Sequence, residues 1–467
     1  MRNLRIIAIG IGTILLLIAS GCEDALTVEP KGDGLFVGEE SINTPEQVQE
    51  LLVGTYDVTA NYFNGRSQNF YELLSDNLAA PISQDDYTEV YNRRTNFFNG
   101  SISSYFLDPY IAIQRCNSLL RRVDVISGFE DGEKERIIAE AYFLRAIAHF
   151  DIVRLFAQPY GYTVDNSHPG IAVVQSVITE PNPREDVATA YAAIEDDLIF
   201  AADNLPEENG NYADKYAAYG FLAKMYFQMG RYDDAANYAS LIINSGRYSL
   251  DPTTDRFSYV GIDNRSPEAV FTTISTDPSN DNRASGFVDN YRPGDIRLTV
   301  SRDFMTEYFN SGLNPQLDMR ANWFFVLNEG TENELFALVK FDNDLFNVPV
   351  IHITDMKLLR AEALARTNSD LETARQDVND IILRAGRTDI IGAGAGATQI
   401  IERALYERRI EMIGEGNRVN ELKRLAAIHN EDIVIRDAPW DCPGMILQFP
   451  ISERTNNFEL NEEGGCN

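Results

Sequence analysis

Apolar residues recur every three or four positions along several stretches of the chain, a spacing that predicts amphipathic α-helices. The longest such stretch covers residues 133–156, and another covers 108–125. A third begins at Thr44, which is followed by Pro45 and then by Gln47. A threonine cap with proline at the first helical position and glutamine at the third is typical of a helix start. These patterns predict an ordered, helical body that begins close to this cap.

Some of the helical stretches pair in the manner of tetratricopeptide repeats. In residues 214–247, small and aromatic residues fall at the offsets of that repeat, and Gly230 permits the turn between two helices. A looser copy covers 353–382, residues 139–156 fit one helix of a further hairpin, and 400–425 is helical with a Gly-Glu-Gly break. The repeat positions are Ala223, Tyr226, Gly230, Tyr232, Ala235 and Ala239. The sequence therefore predicts a mainly α fold, a tetratricopeptide-like scaffold of about four helix pairs.

Three regions between these helices have a different composition. Residues 61–107, 157–182 and 250–350 are rich in Asn, Asp, Ser, Gly and Pro, with aromatic residues interspersed. This composition predicts long irregular loops with a few short strands, such as 269–274 and 335–341. Loops of that length inside a compact protein are usually functional, and a helical scaffold that carries them is typical of a binding protein.

Residues 1–21 predict a bacterial lipoprotein export signal. The apolar stretch 6–19 follows the basic residues Arg2 and Arg5 and leads to Cys22. It is shorter than the roughly 18 residues of a membrane-spanning helix and has the length of a secretory signal core. We therefore expect cleavage before Cys22 and lipidation of its thiol. An ordinary signal peptide with a chance cysteine is the alternative.

The segment after Cys22 predicts where the folded body is held. Residues 22–40 are polar and contain glycine and proline, so we expect a flexible tether. The remainder, 41–467, is expected to be a single domain, whose ligand-binding part lies mainly in the first and last of the irregular regions above. Glu23 and Asp24 directly follow the cysteine. Acidic residues there resemble the surface-export signal of Bacteroidetes lipoproteins, which implies a lipid-anchored protein outside the outer membrane.

The net charge limits which ligands the protein can bind, and the cysteines indicate whether it folds in an oxidising compartment. The chain has 71 acidic and 40 basic residues, a net charge of −31, which disfavours nucleic acid and favours neutral ligands. The same acidity also serves the solubility of a secreted protein. Cys116 lies in an apolar helical pattern and is predicted to be a buried thiol. Cys442 and Cys466 could pair in an oxidising compartment, and the sequence leaves that pairing open.

The order of several short motifs resembles the SusD/RagB family of outer-membrane nutrient-binding lipoproteins. The run 140–146, Glu-Ala-Tyr-Phe-Leu-Arg-Ala, resembles the family's most distinctive segment, and 407–418 resembles its C-terminal Glu-Arg-Arg helix. Asn417 departs from the pattern, because a histidine is usual there. The other residues that carry the resemblance are Ser75, Asp76, Asn77, Tyr110, Ile113, Asn117, Asp318, Arg320, Phe449, Pro450, Ile451 and Glu453.

Sugar binding, which this resemblance implies, needs flat apolar faces that stack on the ring and polar groups that replace its hydration. Aromatic residues alternate with Asn and Arg in 61–107, the region that corresponds to the family's ligand loop, and again in 290–323. For any single residue, packing in the core is the alternative. The predicted ligand-binding residues are Arg66, Asn69, Tyr87, Tyr91, Asn92, Phe98, Tyr291 and Trp323.

Other chemistry has weaker support in the sequence. Acidic clusters such as 85–86 place their carboxylates on adjacent residues, which diverge on a helix instead of converging as glycosidase chemistry needs. The four histidines lack metal-ligand spacing. Asp277, Asn280, Asp281 and Asn282 carry oxygen ligands for a structural calcium ion, yet the order lacks the glycine and terminal glutamate of an EF-hand. We therefore expect no catalytic residue, no metal site and no cofactor.

The resemblance and the residues lead to one preferred hypothesis. It is a non-catalytic cell-surface lipoprotein that captures an oligosaccharide or polysaccharide fragment and delivers it to a SusC-like TonB-dependent transporter. An enzyme that cleaves the same glycan is one alternative. A tetratricopeptide scaffold for protein assembly, or a family member that binds peptides, is the other.

Overall fold

The computed structural model describes residues 41–177, 182–279 and 281–466. The predicted export signal, the tether with Cys22, and Asn280 lie outside the described residues.

Helices form most of the described structure, and their order follows the sequence pattern. In chain order they are α1 (Pro45–Phe63), α2 (Arg66–Leu74), α3 (Asp85–Tyr91), α4 (Gly100–Val123), α5 (Glu133–Phe156), α6 (Val187–Asn204), α7 (Lys215–Gln228), α8 (Tyr232–Ile243), α9 (Ser285–Tyr291), α10 (Arg302–Phe309), α11 (Ile353–Thr367), α12 (Leu371–Arg384), α13 (Ala397–Glu411) and α14 (Arg418–His429).

Local signals in the sequence set several of these bounds. The Thr44 hydroxyl accepts a hydrogen bond from the Gln47 amide at 3.3 Å, and Pro45 is the first residue of α1, as predicted. Between α7 and α8 the chain turns at Gly230, whose φ is +75°. A Cβ there would lie 2.6 Å from Cγ2 of Ile428, so both the backbone and the space require glycine.

The helices pack as four pairs, α1 with α4, α5 with α6, α7 with α8, and α11 with α12. The α5–α6 pair is joined by a buried ion pair, in which Nε and Nη2 of Arg145 each lie 2.7 Å from a carboxylate oxygen of Asp197. The α13 and α14 helices are separated by the Gly414–Gly416 turn, where the sequence predicts a break. The predicted mainly α scaffold of helix pairs is confirmed.

Short strands make up the rest of the regular structure. The described residues contain three two-stranded antiparallel sheets. Their strands are β1 (Ala269–Thr273) with β4 (Val348–His352), β2 (Phe324–Leu327) with β3 (Leu335–Leu338), and β5 (Val434–Ile435) with β6 (Ala438–Pro439). The predicted strand at 269–274 is confirmed. The one at 335–341 ends early, because its last three residues form a 3₁₀-helix, Val339–Phe341.

The prediction of an irregular loop over 61–107 is wrong for much of its length. Helices α2 and α3 lie within it, and α4 begins at Gly100 instead of near residue 108. Asn99 sets this earlier start, since its side-chain oxygen accepts a hydrogen bond from the Ile102 amide at 2.9 Å. Helices α2 and α3 are short and rich in polar residues, so their amino-acid composition is similar to that of a loop.

A buried network of charges holds the C-terminal half together. Glu411 lies among Arg256, Arg320 and Arg384, and none of these side chains is more than slightly exposed. Burial opposes ionisation of Glu411, but the three guanidinium groups outweigh it and lower its pKa to about 2. The network ties α12 and α13 to the chain segments that lead into β1 and β2.

The cysteines and the charged clusters have defined positions in this fold. Cys442 and Cys466 form a disulfide, with their Cα atoms 5.4 Å apart, and Cys116 is a buried free thiol as expected. Among the described residues, no group of three or more His, Cys, Asp or Glu side chains is arranged to hold a metal ion. Asp281, one of the oxygen-bearing residues in the 277–282 loop, pairs with Arg283. Within the described ranges, no helix combines the length and the apolar character needed to cross a bilayer.

Candidate ligand-binding site

The approach of α2 to α9 places Arg66 at the surface. Gly65 precedes α2 with a φ of +112°, and a Cβ at this position would lie 2.5 Å from the backbone nitrogen of Phe287 in α9. Only glycine combines this backbone conformation with so close an approach. Arg66, the first residue of α2, is partly exposed beside α9 as a result.

Arg66 is held in place by two residues of α4. Its Nη1 lies 2.6 Å from Oδ2 of Asp108, and its Nη2 donates to the Ser104 hydroxyl at 3.0 Å. The guanidinium keeps further N–H groups that can bind a ligand, because it carries five donors. The Arg66–Asp108 pair has no net charge, so this part of the surface suits a neutral ligand.

Two asparagine side chains lie next to Arg66 and carry unpaired oxygens. Nδ2 of Asn69 in α2 and Nδ2 of Asn290 in α9 both donate to the Gly286 carbonyl, at 3.0 and 2.7 Å. Both side-chain oxygens are buried, and no described residue donates a hydrogen bond to them. Buried polar atoms are normally paired, so these two oxygens are candidates for hydrogen bonds to a bound ligand or to water.

Tyr87 of α3 joins the same cluster. Burial raises the pKa of its hydroxyl, against the opposing effects of the Asn69 amide and the Arg66 charge. Its ring packs edge-on against Phe70, with the ring centroids 5.8 Å apart. We call this cluster the Arg66 surface, and it consists of Arg66, Asn69, Tyr87, Ser104, Asp108 and Asn290.

Phe98 is displayed close to this surface. It is 73% exposed and lies two residues before the start of α4. Asp86 connects this end of α4 to α3, because its carboxylate accepts from the Ser101 amide at 2.8 Å and its carbonyl from Asn99 Nδ2 at 3.0 Å. Tyr87 is the next residue along α3, so the segment that carries Phe98 is connected to the Arg66 surface through Asp86.

Tyr91 and Asn92 lie at the other end of α3. The ring of Tyr91 is covered by the Arg436 guanidinium, whose central carbon is 3.8 Å from the ring centroid. Asn92 is exposed and ends the helix, with its amide donating to the Thr88 carbonyl at 2.9 Å. Tyr91 follows Tyr87 by one helical turn, about 6 Å along α3. Its ring face is nevertheless taken by Arg436.

Tyr291 and Trp323 are inside the protein. Tyr291 is fully buried and packs against Phe341, with ring centroids 5.3 Å apart. Trp323 is buried beside the ammonium group of Lys340, which is 4.7 Å from its ring centroid. Both residues end short helical segments that pack their large rings into the core. Neither ring presents a stacking face to solvent in this structure.

The structure therefore brings Arg66, Asn69 and Tyr87 together, and Phe98 is exposed in the segment that α3 connects to them. Of the remaining predicted residues, Tyr91 is covered by Arg436, Asn92 ends α3, and Tyr291 and Trp323 are buried. Sequence reasoning missed Ser104 and Asp108, which orient Arg66. These two residues lie four positions apart on α4. Ser104 is in the stretch that the composition assigns to a loop, and Asp108 is the first residue of the predicted helix. The signal that could have found them is the Asn99 cap, which starts the helix early.

Comparison with known proteins gives consistent family matches. Residues 26–227 match a family model described as "Starch-binding associating with outer membrane", and residues 259–439 match the model of the SusD family. "SusD-like protein P2" of Formosa agariphila is 27% identical over 245 residues, which cover 51% of this chain and 46% of that protein. The chain is thus matched to about half the length of this relative.

Solved structures share the fold. A crystal structure of a SusD superfamily protein from Bacteroides thetaiotaomicron has a TM-score of 0.76 and 22% identity, and the match covers 90% of this chain and all of that chain. A structure described as a laminarin-binding SusD-like protein has a TM-score of 0.68 and 20% identity, over 90% of this chain and 99% of that chain. At these identities the likeness concerns the fold.

Proposed function

Because the chain belongs to the SusD/RagB family, we propose that it is a cell-surface protein that binds oligosaccharides or polysaccharide fragments without cleaving them. The observation that carries this proposal is the Arg66 surface, where an oriented guanidinium lies beside two amide oxygens without hydrogen-bond donors. A structural neighbour described as laminarin-binding supports the choice of ligand class.

The chemistry of the surface fits a neutral sugar. The ring of Phe98 can stack on the C–H face of a pyranose, and aromatic faces in binding sites contribute apolar contact of this kind. Sugar hydroxyls are both donors and acceptors. They can accept from Arg66 and donate to the unpaired oxygens of Asn69 and Asn290, after small movements of the surrounding side chains.

The acidic residues near this surface favour binding over catalysis. Asp108 pairs with Arg66, and the Asp86 carboxylate accepts from the Ser101 amide. Glycoside hydrolysis needs two carboxyl groups about 5 to 10 Å apart on either side of the scissile bond, one of them protonated. Carboxylates that are occupied with structural hydrogen bonds are poorly suited to that role.

The proposal extends to the anchor and the partner that the sequence predicts. We propose that Cys22 carries a lipid that holds the protein on the outer membrane, and that the bound glycan is passed to a SusC-like TonB-dependent transporter. Replacement of Cys22 by Ser should abolish fatty-acid labelling and release the protein from the membrane fraction. Retention of labelled protein in that variant would contradict the anchor.

The binding proposal is tested by glycan-affinity electrophoresis of the purified protein against laminarin, starch, xylan and mannan, followed by calorimetric titration with the glycan that retards it. Arg66→Ala and Phe98→Ala should each weaken binding by about tenfold or more, the effect of losing roughly 1.4 kcal/mol of contact. Product analysis on the same mixtures should show no cleavage.

Matched controls separate the site from a general effect on the surface. Arg247→Ala removes a partly exposed arginine that also pairs with a carboxylate, that of Glu208 at 2.8 Å. Phe325→Ala removes another exposed phenylalanine. Both should leave the affinity unchanged. Equal effects of site and control variants would contradict the site, and absence of any glycan binding together with capture of a peptide or protein partner would favour the interaction-scaffold alternative.

A further inference from the structure

A separate cavity of about 260 Å³ lies beside α1. Its walls come from α1, from the loop before α7, and from β1. It lies outside the Arg66 surface, and none of the predicted ligand-binding residues lines it. The volume is slightly below the roughly 300 to 1,000 Å³ of pockets that enclose drug-sized ligands, so it has room for one ring-sized unit.

One side of this cavity is apolar and exposed. Tyr212 is 36% exposed and Ile262 is 55% exposed, and both line the cavity together with exposed Val53. The Tyr212 ring rests against Tyr56, with the ring centroids 4.9 Å apart. Exposed apolar residues that gather around a cavity, instead of being scattered, mark a binding site.

The aromatic wall is held rigidly. The Tyr56 hydroxyl donates to Glu140 and accepts from the Ala213 amide at 3.0 Å, which fixes the loop that carries Tyr212 against α1. On the other side of the loop, Arg265 donates to Oδ1 of Asn211 at 2.7 Å. A wall that is already ordered loses little conformational entropy when a ligand binds.

The opposite side of the cavity is polar. Arg283 forms ion pairs with both Asp57 and Asp281, and its Nη1 donates to Asn61 at 3.3 Å. Asp57, Asp281 and Arg283 all line the cavity. Two carboxylates against one guanidinium disfavour an anionic ligand, and the arrangement provides acceptors and donors for hydroxyl groups.

Two buried hydroxyls in the wall lack partners. Thr272 and Thr273 of β1 line the cavity, both are more than nine-tenths buried, and no described residue forms a hydrogen bond with either hydroxyl. Within the described residues β1 pairs with β4 alone, so its second edge carries no strand. Consecutive residues of a strand point to opposite faces, so one of these two hydroxyls lies on the cavity face of β1. Since buried hydroxyls are normally satisfied, that hydroxyl points to a polar ligand or water.

We infer that this cavity is a second carbohydrate-binding site for a single neutral pyranose ring. One face of the ring lies on Tyr212, and its hydroxyls point toward Asp57, Arg283 and the β1 threonine on the cavity face. The inference takes its ligand class from the proposed function, but its residues are distinct from the Arg66 surface. Phe63 follows Asp57 by six positions, about 9 Å along α1, before the chain turns into α2. The two sites can therefore be disabled independently.

Saturation-transfer NMR of the full protein with the methyl glycosides of glucose, galactose, mannose and xylose tests the inference. At least one glycoside should receive saturation from the protein. Tyr212→Ala should weaken it by about tenfold, the effect expected from loss of one stacked aromatic ring. Tyr162→Ala is the matched control, because Tyr162 is 41% exposed and does not line the cavity, and it should leave the signal unchanged.

A second variant tests the polar wall. Thr272→Val/Thr273→Val keeps the shape of both side chains and removes their unpaired hydroxyls, so it should fold with an undiminished melting temperature and weaken the glycoside several-fold. Binding that survives both this variant and Tyr212→Ala would overturn the inference. The absence of any glycoside signal would also overturn it. If 1,4-diaminobutane, a dication, receives saturation and the sugars do not, the cavity is a cation site.

The same samples separate this inference from the proposed function. Arg66→Ala should weaken the polysaccharide and leave the glycoside signal at Tyr212 intact. If Arg66→Ala has no effect on any glycan while Tyr212→Ala does, the Arg66 surface is wrong and the cavity stands. If only Arg66→Ala has an effect, the second site in the cavity is rejected and the proposed function at the Arg66 surface stands.

Discussion

Lys423 is a buried lysine to which no carboxylate of the described residues is paired, and its replacement tests the C-terminal packing directly. Its ammonium donates to the Met445 carbonyl at 2.6 Å, and burial lowers its pKa from 10.5 to about 7. That contact joins α14 to the segment closed by the disulfide. The same segment places Gly444 against the Arg93 backbone, next to α3.

The magnitude follows from the difference between folded and unfolded pKa values. Because the pKa is lowered on folding, the unfolded chain binds more protons than the folded protein between pH 7 and pH 10.5. The contribution of Lys423 to stability therefore becomes more favourable as the pH rises. The full difference of 3.5 pKa units corresponds to about 5 kcal/mol, of which about 2 kcal/mol is recovered between pH 7 and pH 9.

Lys423→Met removes this proton linkage and keeps an apolar stem of similar length. We expect the free energy of unfolding of the wild type, measured by urea denaturation, to rise relative to the variant by about 2 kcal/mol between pH 7 and pH 9. All other titrating groups are common to both proteins and cancel in the difference. Lys134→Met, at a surface lysine that pairs with Asp124 at 3.2 Å, is the control for the same substitution outside the core.

A difference between wild type and Lys423→Met that does not change with pH would refute the reasoning. It would mean that the ammonium group is solvated or paired in solution, so that the contact with Met445 does not represent its environment.

Two further predictions concern the helix-pair scaffold. Asp197→Asn leaves the buried Arg145 charge unpaired and should lower the free energy of unfolding by about 3 to 5 kcal/mol, and the double variant Arg145→Met/Asp197→Leu should recover most of this loss; equal loss in both would contradict the pairing. Gly230→Ala forces alanine into the left-handed region with its Cβ 2.6 Å from Ile428, so thermal melting should show a lower midpoint, corresponding to a loss of about 1 to 3 kcal/mol, and an unchanged midpoint would contradict the turn.

The long helices could be predicted from the sequence because their apolar spacing is sustained. The helix at 133–156 has the predicted bounds, and the hairpin around Gly230 follows the tetratricopeptide pattern. Short helices could not be predicted in the same way. Arg66–Leu74 has only nine residues, too few for a polar-rich segment to show a clear period.

The candidate site could be predicted only in part, since composition does not determine depth. Aromatic and amide residues in an irregular region occur both on the surface and in the core. The sequence alone therefore predicts both Phe98 and Tyr291 as ligand-binding residues. The fold exposes the first and buries the second. The proximity of Asn69 and Asn290 depends on Gly65 and on the docking of α9, which is a long-range contact.

The central claim, that the Arg66 surface binds a sugar, is tested most directly by a crystal structure of the protein with an oligosaccharide of the glycan that retards it in affinity electrophoresis. We predict a sugar ring within hydrogen-bond distance of Arg66 and of at least one of the Asn69 and Asn290 side chains, with Phe98 against a ring face. An oligosaccharide bound without contact to any of these residues would contradict the account.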